Sequence, residues 1–134
     1  MGNLTSKQAT ELGDAFLAFA QAVGDYRMKN RKKLSDQENT EIKEHHRKLL
    51  DHADEFYTTS AKLAIDDVEQ SLDELRKVTK QINNTYASLK KVQNAIDIAA
   101  AGIALASSII KADAQNAGKA LQKLVEEWKA TKTS

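Results

Sequence analysis

From Leu49 to Ile110 apolar side chains recur at helical steps almost without interruption, and the 134-residue chain holds no proline to stop them. A single helix over that span would be about 90 Å long at 1.5 Å per residue, too long for a chain of this size to cover. The chain must therefore fold back on itself without help from proline. Only five glycines are available as breakers. Two polar clusters offer the places. Asn83-Asn84-Thr85 suits a hairpin turn, and Tyr57-Thr58-Thr59-Ser60 suits a break or kink, because Asn and Thr serve as helix caps.

The flanks follow the same period. Leu12, Phe16, Phe19, Val23 and Tyr26 advance in steps of four and three, which predicts a first helix over 5–32. Gly13 and Gly24 weaken it without forcing a break. Ser35 with Glu38 three residues on forms a capping box for a second helix over 36–57. The long run then divides into 60–82 and 85–111, a pair long enough for a coiled-coil hairpin. Asp113 caps a last helix over 113–130, with Ala117, Leu121, Leu124, Val125 and Trp128 on its apolar face. No strand-like alternation of useful length interrupts this pattern. The expectation is one all-α domain over 1–134, an antiparallel bundle of four to five helices.

Cysteine is absent, which removes disulfides, thiolate metal sites and a thiol nucleophile. The formal charge of +1 argues neither for nor against nucleic acid. Its distribution is more informative. Residues 1–34 carry six Lys or Arg against three acids, whereas 35–60 carry three against seven. A basic first helix thus runs into an acidic segment.

The opening MGNLTSK matches the N-myristoylation pattern, with Gly2 as acceptor once Met1 is removed, Ser6 where Ser or Thr is required, and Lys7 after it. A myristoyl chain alone binds membranes marginally and needs a second signal, usually polybasic. Arg27, Lys29, Arg31, Lys32 and Lys33 supply one, as five of the seven residues from 27 to 33. A helix of about 28 residues would hold the two signals some 40 Å apart, so both reach one membrane only if that helix lies flat. Base stacking is limited to Tyr26, and no nucleic-acid module surrounds the cluster.

The segment 98–110, IAAAGIALASSII, is the most apolar stretch. Its 13 residues fall short of the roughly 20 that cross a bilayer, although extension back to Val92 approaches that length. Gly102 and Ala106 form a small-xxx-small step that lets helices approach closely, with Ile103 and Ile110 on the same segment. These residues serve either as a buried helix-packing face or as a conditionally inserting helix.

Three histidines stand among acids, yet the spacing does not make a metal site. His45 and His52 lie about 10 Å apart along a helix, and Glu41 with His45 gives two ligands at most. Paired charges such as Glu44 with Lys48 are the default for this face. His45 and His52 flank Leu49 and are placed to respond to mild acid. No phosphate loop, nucleophile elbow or Cys/His pair is present.

The functional expectation is a non-enzymatic helical scaffold or interaction protein with no cofactor, no metal, no nucleic acid and no small-molecule substrate. It would be cytoplasmic, held at the inner face of a membrane by acylated Gly2 and by contact of residues 27–33 with acidic lipid. A protein partner or self-association fits long amphipathic helices. Two other readings stand beside it: a small membrane-inserting toxin or toxin partner deploying 92–110, and a soluble adaptor or immunity-type bundle binding a protein through an exposed apolar stripe.

Overall fold

The computed structural model describes residues 3–58 and 63–133, the last two by backbone only. These described residues form an all-α bundle of six helices: α1 (Ser6–Lys29), α2 (Asp36–Thr58), α3 (Val68–Lys80), α4 (Ile82–Ala87), α5 (Val92–Ile110) and α6 (Ala114–Thr133). Helices α3 and α4 are separated only by Gln81, and α1 runs antiparallel to α2.

Local chemistry sets the helix ends. Thr5 and Gln8 make a reciprocal capping box at the start of α1, with bonds of 3.1 and 2.9 Å. Ser35 and Glu38 do the same for α2, as their spacing predicts. Asp113 accepts the Asn116 backbone N–H at 3.3 Å to start α6. Helix α5 ends in a Schellman motif in which Asp113 N–H reaches Ser108 O and Ala112 N–H reaches Ile109 O, both at 3.0 Å. Ala112 occupies the left-handed position of that motif, with φ 59°.

The turn expected at Asn83-Asn84-Thr85 lies elsewhere. Those residues are inside α4, and the chain reverses at Ser88–Lys91. The reason is what Thr85 touches. It is buried, donates to Gln81 O at 3.0 Å and accepts the Trp128 indole N–H at 3.0 Å. Tyr86, also buried, donates to Ala95 O across the turn. Ser88 then closes the helix by bonding the carbonyls of Asn84 and Thr85 at 3.1 Å. The apolar run expected to form two rods over 60–82 and 85–111 is therefore divided at Gln81 and again at 88–91. Helix α5 packs on α2 and α6 in place of a coiled-coil partner. At the other polar cluster α2 ends at Thr58, while Thr59 and Ser60 fall outside the described residues.

The core gathers Phe16 and Phe19 from α1, Leu49 and Phe56 from α2, Ile98, Leu105 and Ile109 from α5, and Leu124 from α6. Three glycines let rings sit on backbone. A Cβ on Gly13 would lie 2.5 Å from the Tyr57 ring, one on Gly24 2.7 Å from the His46 ring, and one on Gly102 2.6 Å from the Phe19 ring. The first two pairs join α1 to α2. Gly13 and Gly24 are separated by about three turns, and so are Tyr57 and His46. Arg27 Nε donates to Asn39 at 2.9 Å further along the same antiparallel seam.

These pairings fix the two ends of the bundle. At one end, Leu4 N–H bonds Leu63 O, Asn3 bridges Ala64, Ala64 N–H bonds Ile109 O, and Asp66 N–H bonds Ala114 O. The opposite end holds the α1–α2 turn, the 88–91 turn and the C-terminal part of α6.

Candidate functional site

Helix α1 delivers the basic cluster to that second end. Its last turn carries Arg27 and Lys29, which complement the negative end of the helix dipole. The cluster is not uniform. Arg27 is half-buried and tied to Asn39, whereas Lys29, Arg31, Lys32 and Lys33 are exposed. None of these four takes part in an ion pair among the described residues. Met28, beside them, is 58% exposed. Behind the cluster lies a cleft of about 420 Å³ between the end of α1 and the end of α4, with Lys29, Asn30, Asn83 and Leu89 on its rim and Tyr26 and Tyr86 beneath. Both phenols are buried, and burial raises their pKa values.

Gly2 lies outside the described residues. Ser6 and Lys7, the rest of the acylation pattern, form the first turn of α1. Helix α1 is about 36 Å long, so these residues and the basic cluster occupy opposite ends of the bundle.

The apolar segment packs between α2 and α6. Gly102 and Ala106 are buried, while Ile103 and Ile110 are half-buried. Gly102 carries the Phe19 ring, so the small-residue step receives an aromatic side chain from α1. Over an 18-residue window of α5 the mean hydropathy is 1.4, and about half of that window is buried.

The three histidines have separate surroundings. His46 Nδ1 lies 2.8 Å from Ala20 O, which can only accept, so Nδ1 carries the proton. His52 Nδ1 lies 3.1 Å from Glu55 Oε1. His45 sits on an open face of α2 with Glu41, Glu44 and Lys48, and its Nδ1 is buried without a partner among the described residues. Desolvation lowers its pKa, opposed by Glu41. Glu44 pairs with Arg47 at 3.6 Å rather than with Lys48. Among the described residues no group of three His, Cys, Asp or Glu side chains is placed to hold a metal ion. Large exposed apolar side chains are Met28 and Tyr57, and Tyr57 is engaged with Asp14 through its hydroxyl.

Sequence reasoning passed over two features. His46 does not advertise itself, because its seat depends on a glycine in another helix. Lys90 and Lys91 were hidden by placing them inside a helix over 85–111 when they belong to the turn before α5. No protein-family model, curated protein or solved structure matches this chain.

Proposed function

We propose that this chain is a non-enzymatic helical scaffold that associates peripherally with an anionic membrane through the basic turn at 27–33, with acylation of Gly2 as a separate anchor. One observation carries the reading: Lys29, Arg31, Lys32 and Lys33 project from one end of the bundle without carboxylate partners among the described residues. Each such cation contributes about 1 kcal/mol near an acidic leaflet. Both anchors would engage one bilayer only with α1 lying flat, which would bring the exposed Asp14 and Asp25 toward the lipid. The basic turn is therefore the primary contact.

Vesicle co-sedimentation tests the primary contact. Binding to phosphatidylserine vesicles is expected, with loss in R31E/K32E/K33E and at high salt. Intact-mass measurement after expression in a eukaryotic cell tests the second anchor. An unacylated N-terminus, with binding unchanged in Gly2→Ala, would remove that anchor and leave the first.

The length and apolarity of α5 favour a second reading, a helix deployed into a membrane. That reading requires α5 to leave α2 and α6 and to uncover Phe19. It predicts dye release from vesicles by the unacylated protein, blocked by Ile103→Asp in a variant whose fold is verified.

A further inference from the structure

Lys90 and Lys91 occupy an electrostatically costly place. They immediately precede α5, whose first turn contains no acid and whose N-cap, Lys91, makes no side-chain capping bond. Cations are disfavoured at a helix N-terminus, so helix stability gives no reason for a lysine pair here. Their neighbours supply one. Leu89 lines the cleft that Lys29 and Asn30 share with α4, and it also lines a smaller hollow with Lys90, Lys91 and Thr131. The 88–91 turn is thus the opposite bank of the cleft beside the basic turn. Asp25 is the acid among the residues lining these two hollows.

Resting on the membrane reading above, we infer that Lys90 and Lys91 join Lys29, Arg31, Lys32 and Lys33 in one composite surface that docks the bundle end-on to an anionic phospholipid bilayer. Met28, exposed among these cations, suits the boundary between headgroups and acyl chains. Single-stranded nucleic acid fits less well. The aromatic rings at this end, Tyr26, Tyr86 and Trp128, are 4%, 3% and 6% exposed and offer no face for a base to stack on. End-on docking points the α1 N-terminus away from the bilayer, so it rests on the basic-turn contact and not on acylation of Gly2.

Co-sedimentation with phosphatidylcholine vesicles containing about one-third phosphatidylserine tests the surface, because each lost cation is worth about fivefold in binding. K90E/K91E should bind at least about 20-fold more weakly than the unaltered chain. K7E/K111E changes the net charge equally at the opposite end and should bind like the unaltered chain. Far-UV circular dichroism melts confirm that both variants are folded. Failure of the unaltered chain to bind would overturn the membrane reading and this inference with it. Binding by the unaltered chain that K90E/K91E leaves intact, or that K7E/K111E weakens equally, would overturn the composite surface alone. Tighter binding to a single-stranded oligonucleotide than to the vesicles would overturn the choice of lipid.

Discussion

Adding one methyl group at Gly102 sets two effects against each other. Gly→Ala within a helix gains about 1 kcal/mol of intrinsic helix propensity. At Gly102, however, the new Cβ would stand 2.6 Å from Cε2 and 2.8 Å from Cζ of Phe19, about 1 Å inside ordinary carbon contact. Phe19 is 0% exposed, with Phe16 stacked 6.2 Å away on one side and Tyr86 edge-on at 6.5 Å, so the ring has little room to retreat. Overpacking of this kind costs about 1–3 kcal/mol, which leaves Gly102→Ala destabilised by up to about 2 kcal/mol. Gly118 supplies the comparison. Its added Cβ would meet Asp66 Cβ at 3.3 Å, a tight contact with an exposed side chain, so propensity should prevail and stabilise by about 0.5 kcal/mol. Urea unfolding followed by far-UV circular dichroism measures both variants, and for a domain of this size about 1 kcal/mol moves Tm by about 4 °C. Phe19→Leu should couple favourably with Gly102→Ala by relieving the contact, as a double-mutant cycle would show. If Gly102→Ala proved as stable as Gly118→Ala, the tight seating of the ring on the backbone would be refuted.

Ala112→Gly should raise stability by about 0.5–1 kcal/mol, since Ala112 holds φ 59° where a Cβ is disfavoured, and the same urea titration reads it. Burial lowers the pKa of His45, so its folded pKa lies below the usual value near 6.5 and the unfolded chain binds more protons just below that pH. Stability should therefore fall as pH drops from about 6.5 toward the folded pKa, and His45→Gln should flatten that slope in unfolding curves taken between about pH 7.5 and about pH 5. The Tyr57 phenol is pushed up to about 12, chiefly by its hydrogen bond to Asp14. Alkaline difference absorbance should show this step move toward about 10 in Asp14→Ala.

The outer helices were legible because they are announced locally. Ser35 and Glu38 form their capping box within four residues, and the steps from Leu12 to Tyr26 trace a face that the structure buries. The interior of the long apolar run was not. Whether Thr85 caps a helix or continues one depends on Trp128, whose indole bonds it from 43 residues away. That one misplaced turn also put Lys90 and Lys91 on the wrong element, which concealed their nearness to the basic turn. Gly13 and Gly24 read as weaknesses because a glycine's use is set by the ring that covers it, and each ring comes from another helix; Gly102 read as a helix-packing step, but the ring it carries did not show. The basic cluster was visible as a run of residues, but the withdrawal of Arg27 into a bond with Asn39 required knowing where α2 lies.

The α1–α2 seam works as a two-toothed key. Tyr57 and His46 drop into notches at Gly13 and Gly24 cut at the same spacing. Slip by one turn, about 5.4 Å, would bring Tyr57 opposite Ala9 or Leu17 and His46 opposite Ala20 or Met28, where side chains fill the notch. Only one seating closes both teeth at once. The hairpin therefore acts as a ruler, holding the start of α2 at a set position along α1.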